Sequence, residues 1–421
     1  MAVPNSYWFS KNDAEQSVTN YPDMVEYHTL DFTAPAEGDY LILVSCAWNR
    51  TVNYGYIDFI LDDSVQLANH EVCLGSNTSK ALDYRTFHTM YLAEGLASGS
   101  HHIDIDARMS AINSQGYIRY CKIAVIRLDD FLSTSGMYDY NAVEAQLALS
   151  TTADSFSTCA TITFTPDEAG DYLILGSIEL DCNNAGDSIA TRINYDSGSE
   201  YIPVNNSEES GSNYCTGELP STGCYWGWVF GGIVNIPASS KTILLEACRT
   251  GGTTQAYVRK RRLLVIRLSA ITDCDYDEVT TNTSTTSQWT DKGTLTFTPS
   301  ATIDYLILGM IVNKPDSITY PAHTRIEQTA GTGTGTICLD NVDSKDSSNP
   351  ADCFPMFTVE VKELAAISQT FKSQYGYANS SGTTYSKGSV IVAIPLEEGG
   401  APPEEYYCGK GIDRGINRGI M

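Results

Sequence analysis

The chain has 421 residues, with 51 Asp and Glu against 26 Lys and Arg, a formal charge of −25. That balance excludes general nucleic-acid binding, because affinity for phosphates needs a cationic face. No apolar run approaches the roughly 18 residues of a membrane span, and the opening MAVPNSYWFSKNDAEQ lacks the basic-then-apolar pattern of a secretory signal, so neither membrane insertion nor export is expected.

Tyr (26) and Gly (33) are abundant, Ser and Thr crowd the chain, and helical periodicity is not sustained anywhere, which predicts an all-β protein. Residues 1–28 read as a polar lead-in. A strand of alternating pattern at Thr29–Thr33 then runs into a polar turn, FTAPAEGDYLIL at 32–43. Pro35 stops the ladder through its fixed φ and missing N–H. The apolar run Tyr-Leu-Ile-Leu that follows is too short for a helix and suits a strand covered on both faces.

The same stretch recurs as FTPDEAGDYLIL at 164–175 and FTPSATIDYLIL at 297–308, with Asp39, Asp171 and Asp304 spaced by 132 and 133 residues. A closing strand recurs too: IRYCKIAVIRL (118–128), VRKRRLLVIRL (258–268) and the weaker YSKGSVIVAIPL (385–396), where Pro395 replaces the arginine of Arg127 and Arg267. Matches at both ends of the period mean that whole domains were copied. A period this long exceeds the 20 to 50 residues typical of solenoids, so each copy is expected to hold its own core. The predicted units are 1–132, 133–270 and 271–397, with an extended C-terminal arm over 398–421. Leu41, Leu43, Leu173, Leu175, Leu306 and Leu308 are predicted in the three cores. Tyr138–Val143 and Cys274–Val279 align as linkers between units, and the variable middle thirds, Asn205–Tyr225 among them, read as loops of the kind that carry binding specificity.

Candidate chemistry is sparse. His102, Asp104 and Asp106 share one face of a strand and are residue types a metal uses; their counterparts Thr242, Leu244 and Glu246 are not, which favours an ordinary exposed face. Asp273, Asp275, Asp277 and Glu278 imitate the start of a calcium loop without its glycine or its final acid. Arg259-Lys260-Arg261-Arg262 lies on a strand, where successive side chains diverge, and is better suited to pairing with acidic neighbours or a neighbouring domain than to forming one patch. Tyr225, Trp226 and Trp228 alternate as a sugar-stacking platform would, or as packing residues. Cys215 with Cys224, and Cys338 with Cys353, could close loops under oxidation, although reduced thiols are the default without export. None of the six His lies in a catalytic motif, and no catalytic residue, metal or other cofactor is expected. The arm places Lys410, Arg414 and Arg418 between Ile412, Ile416 and Ile420 among glycines, a composition suited to docking on a partner.

The order of FTP strand, turn, buried Tyr-Leu-Ile-Leu strand, variable loops, Ile-x-Ile strand and Val-Ile-Arg-Leu strand resembles jelly-roll sandwiches. It is similar to modules in tail fibres, head fibres and decoration proteins of tailed bacteriophages, and in globular heads of the tumour-necrosis-factor and complement type. The resemblance spans nearly all of 29–396 and implies three tandem jelly-roll-like antiparallel β-sandwiches. It further implies a non-enzymatic virion protein, made in the host cytoplasm, assembled through contacts with other virion proteins or copies of itself and open to host cell-surface glycans. A carbohydrate-binding adhesin and a polysaccharide-degrading enzyme are the alternatives.

Overall fold

The computed structural model describes residues 6–50, 55–72, 85–130, 132, 136–182, 188–195, 201–202, 215–218, 225–250, 255–315, 322–342, 354–377 and 383–396. In the first repeat the strands are β1 (Tyr7–Asn12), β2 (Gln16–Val18), β3 (Val25–Ala34), β4 (Gly38–Arg50), β5 (Gly55–Leu61), β6 (Val65–Val72), β7 (Arg85–Leu96), β8 (Gly99–Met109) and β9 (Gly116–Arg127). The second has β10 (Tyr138–Val143), β11 (Leu147–Ala148), β12 (Ser157–Phe164), β13 (Gly170–Cys182), β14 (Ser188–Asn194), β15 (Tyr201–Ile202), β16 (Cys215–Glu218), β17 (Trp226–Ile236), β18 (Lys241–Arg249) and β19 (Ala256–Arg267). The third has β20 (Asp275–Val279), β21 (Thr283–Thr285), β22 (Thr290–Phe297), β23 (Ile303–Pro315), β24 (Ala322–Ala330), β25 (Gly335–Val342), β26 (Phe354–Leu364), β27 (Gln369–Tyr377) and β28 (Thr384–Leu396). Among the described residues no helix is long and apolar enough to cross a membrane.

Each repeat folds into two antiparallel sheets. One runs β1-β9-β4-β7, β10-β19-β13-β17 or β20-β28-β23-β26; the other runs β3-β8-β5-β6, β12-β18-β14-β15 or β22-β27-β24-β25. Ranked along the chain, the eight main strands of every repeat stand in the orders 1-8-3-6 and 2-7-4-5. Apart from the fourth and fifth, which pair as a hairpin, successive strands cross between the sheets, which is the jelly-roll topology. The chain is all-β, three jelly-roll sandwiches in tandem.

The lead-in and the two linkers are more than connectors. β1, β10 and β20 are the first strands of their sandwiches, paired to the last strands β9, β19 and β28. Pairing at a sheet edge is made by backbone groups, so these segments need no apolar alternation to find their place, and sequence pattern passes over them.

The repeated hairpin shows why its residues recur. Phe and Tyr pack ring on ring inside each sandwich, at 6.3 Å for Phe32–Tyr40, 5.7 Å for Phe164–Tyr172 and 5.3 Å for Phe297–Tyr305. Tyr40 and Tyr172 also donate to the carbonyls of Ala36 and Glu168, pinning the turn, at 2.8 and 3.0 Å. Arg127 holds the same turn through the Glu37 carbonyl, and Arg267 through Asp167 and Glu168.

The alternating partners, Leu41, Leu43, Leu173, Leu175, Leu306 and Leu308, are all buried, but not inside their own sandwiches. Together with Met90, Leu92, Ile126, Val229, Leu264, Ile266, Phe357, Val359 and Val392 they form one apolar cluster contributed by all three repeats. The six leucines thus fill a central core onto which the three inner sheets converge. Inward and outward alternation on β4 assigns Tyr40, Ile42 and Val44 to the sandwich and Leu41 and Leu43 to the neighbours.

Candidate functional site

The surfaces that join the repeats hold the most elaborate side-chain chemistry in the molecule. Tyr138 donates to Asp39 Oδ2 at 2.7 Å, Tyr276 donates to Asp171 and Tyr7 donates to Asp304. Each bond runs from the first strand of one repeat to the repeated Asp of the one before, and the last runs from the first repeat back to the third. The three repeats form a closed ring. By register against the last strand, Tyr7 and Tyr138 are equivalent, opposite Ile126 and Ile266. In the third repeat Cys274 falls at that place, and Tyr276, two residues on and on the same face, makes the bond instead.

Equivalent positions also meet at the centre. His88, Val229 and Phe357 stand opposite Ser45, Ser177 and Met310, each six residues after its repeat's Asp. The Val229 N–H donates to His88 Nδ1 at 2.8 Å, and the His88 ring meets Phe357 edge-on at 5.8 Å. Burial pushes the imidazole down to about 3, so it is neutral, with Nδ1 fixed as the acceptor.

Two of the three joints bury charge. Lys122 is fully buried, with its ammonium 2.7 Å from Glu360 Oε2 and 2.6 Å from the Ile337 carbonyl of the third repeat. Burial alone would raise the Glu360 carboxyl; Lys122 and Lys11 overcome it and hold it below its usual range. Arg262, the counterpart of Lys122, grips Glu144 through two bonds of 2.7 and 2.8 Å and reaches Thr89 Oγ1 and the Met90 carbonyl of the first repeat, each at 3.0 Å. At the third joint Val390 takes this position beside the carboxyl of Glu278, which accepts from the Ile233 N–H at 2.9 Å. Burial pushes that carboxyl up to about 7.

The basic run lies at the joint between the first two repeats. Arg259 pairs with Glu179 at 2.6 Å and donates to the Asn69 carbonyl at 2.8 Å, while Lys260 donates to the Gln66 carbonyl at 2.5 Å. Consecutive side chains reach the same neighbour because Lys260 has φ +46, and the register slips opposite it between Ser177 and Glu179. Tyr120, its counterpart, has φ +51 at the same slip in the first repeat. A β-bulge re-aims the strand.

The stacking platform is not formed as expected. Trp226 and Trp228 are 3% and 4% exposed, and Trp226 packs edge-on against Phe87 of the first repeat at 6.5 Å. Tyr225 is half-buried, its ring covered by the Arg259 guanidinium at 3.4 Å and its hydroxyl bonded to Gln146. Both tryptophans are buried and the Arg259 guanidinium covers one face of Tyr225, so the three do not form an open stacking platform. In the calcium-like segment one oxygen of each of Asp277, Asp273 and Glu278 accepts from a protein donor, the Thr294 N–H, the Ser300 hydroxyl and the Ile233 N–H. Cys338 is buried on β25. Lys410, Ile412, Arg414, Ile416, Arg418 and Ile420, with Cys224 and Cys353, lie outside the described residues. Sequence reasoning missed Tyr7, His88, Lys122 and Glu360; the recurrent Asp was the one visible trace of the ring.

No protein-family model matches the sequence, and no curated protein matches it. Among solved structures, one describing the triple jelly-roll fold and turret assembly of an archaeal virus is 10% identical, covering 92% of this chain and 90% of that one at a TM-score of 0.21. The VP2 subviral particle of infectious bursal disease virus is 9% identical over 91% and 82% at 0.20. PNGF-II is 10% identical over 57% and 59% at 0.28. These superpositions are loose, and the jelly-roll assignment rests on strand order in this chain.

Proposed function

We propose that this chain is a non-enzymatic structural protein of a virion, a pseudo-trimeric block built in one polypeptide. The observation that carries the reading is the closed ring: three jelly rolls turn equivalent faces inward onto one apolar core and join head to tail through Tyr–Asp bonds. The outer sheets and loop ends are left to face other proteins. The resemblance of the repeats to phage modules makes the finer reading an outer component of a bacteriophage, a fibre, appendage or decoration protein. Its partners are then other virion proteins or further copies, with the Lys/Arg/Ile arm as docking element and host glycans as possible ligands of the loops.

Mass spectrometry of gradient-purified virions tests it. The chain is expected at fixed stoichiometry with the capsid proteins, and its recovery only from virion-free fractions would overturn the reading. Deletion from Cys408 onward is expected to leave melting unchanged and abolish incorporation. A truncated chain that incorporates normally moves the docking surface onto the sandwiches.

A further inference from the structure

The three outer sheets share one strand order and differ in their balance of charge. In the second repeat Arg192 stands opposite Glu246 and bonds it at 2.7 Å. In the third, Arg325 stands opposite Gln374 with a 2.6 Å bond, and Lys372 pairs with Asp291 at 2.5 Å. By register, the first repeat puts Asp58 at the place of the two arginines, Asp106 at that of Glu246 and Gln374, and Asp104 at that of Lys372. The first also has a cation on this face, Arg108 stacked over Tyr56 at 3.9 Å, but gathers the four carboxylates of Glu26, Asp58, Asp104 and Asp106 beside it.

Beside this face the hairpin between β5 and β6 turns through Asp62 and Asp63, with φ of +51 and +55. That turn brings Asp63 over β8. His102 Nε2 lies 3.3 Å from Asp63 Oδ1 and 3.5 Å from Asp104 Oδ2, and the three atoms all lie within 4.8 Å of one another. Separations of 3.3 to 3.5 Å are long for hydrogen bonds. Both His102 separations fit edges of a tetrahedron around Zn2+, which bonds of about 2.0 to 2.2 Å set at about 3.3 to 3.6 Å.

Asp104 supplies the independent sign. It is 7% exposed, and among the described residues its ion-pair partner is the His102 ring itself, at 3.5 Å, so a carboxylate sits largely buried against the imidazole that would share its cation. On the far side of the ring, His102 Nδ1 faces Asp62 Oδ1 at 3.8 Å, and Asp62 is held by His101 Nδ1 at 2.7 Å and by the His102 N–H at 3.0 Å. A carboxylate behind a ligating imidazole is the usual support of a metal-bound histidine. Sequence pattern singled out His102, Asp104 and Asp106 but favoured an ordinary exposed face; in the fold Asp104 is buried and the hairpin brings Asp63, not Asp106, beside His102.

We propose that the outer sheet of the first repeat binds one divalent transition-metal cation, Zn2+ fitting best, through Asp63, His102 and Asp104, with Asp62 as positioning residue and the fourth position open to solvent. Repeats two and three carry no such set: Thr242 and Leu244 stand at the places of His102 and Asp104 in the second, and Thr370 and Lys372 in the third.

Calorimetric titration of ZnCl2 into the full-length, EDTA-stripped protein tests this. One saturable site per chain is expected. His102→Ala and Asp104→Asn should each weaken it at least tenfold, Asp62→Asn about tenfold, and all three variants should keep the parent circular dichroism. Absence of a saturable site, or unchanged affinity in H102A, overturns the proposal. So does Ca2+ binding as tightly as Zn2+ with no loss in H102A, which would mean an acidic surface only. None of these readouts depends on virion incorporation.

Discussion

The Tyr7 hydroxyl donates to the carboxylate of Asp304, 297 positions further along the chain. It repeats, without a covalent linker, the contact that Tyr138 makes with Asp39 across a sequence neighbour. The joint between the third and first repeats is therefore made by the same chemistry as the two joints the chain bridges. Tyr7→Phe is expected to remove about 1 kcal/mol, the usual net worth of one partly buried hydrogen bond, and Tyr138→Phe a similar amount. Urea unfolding monitored by tryptophan fluorescence measures both; a loss confined to Tyr138→Phe would mean the ring is open at its unbridged joint.

A shared core predicts shared unfolding. Leu43 and Leu175 belong to different repeats but to one apolar cluster, so truncating either should destabilise the whole assembly. Leu175→Ala is expected to cost ~2 to 5 kcal/mol and to shift a single calorimetric transition. Three separable transitions, with only the middle one moved, would show that the repeats are independent.

The buried pair at the first-to-third joint should be costly to break and cheap to replace. Glu360→Leu leaves Lys122 without its counter-ion in a site that is closed to water, at an expected ~3 to 5 kcal/mol. Lys122→Met combined with Glu360→Leu should recover most of that loss. Chemical denaturation of the two single variants and the double variant gives the coupling directly.

Glu278 gives the fold a pH dependence whose sign can be worked out. Its carboxyl is pushed up by burial to about 7, above the ordinary 4.5. Its contribution is complete below pH 4.5 and is lost as pH rises towards 7, because the unfolded chain releases the proton first. The loss is about 2 kcal/mol after allowing for partial exposure. Glu278→Gln, whose carbonyl still accepts from Ile233, should be more stable than the parent at pH 8 and equal to it at pH 4. Thermal melts across that range measure it, and identical profiles would remove Glu278 as the cause.

The threefold copying, the all-β class and the jelly-roll hairpin were legible in residues because local rules write them: Pro ends a strand, Asp-Tyr begins one, and Ile103, Ile105 and Ala107 alternate inward as Ile243, Leu245 and Ala247 do. The first strands were not legible, since backbone pairing at an edge leaves little side-chain pattern. Alternation also could not say which of two buried faces belonged to which core. Leu41 and Tyr40 are equally buried, and only packing shows that one closes a sandwich and the other the ring. In sequence the basic run read as pairing with acidic neighbours or a neighbouring domain, and the paired tryptophans as a sugar platform or as packing residues. Tertiary structure decided them, because a partner's identity depends on residues brought from 110 or more positions away, as Asn69 is to Glu179 and Lys122 to Glu360. Sequence determined what each repeat would become; how three such repeats share charge and apolar surface was settled only by their meeting in space.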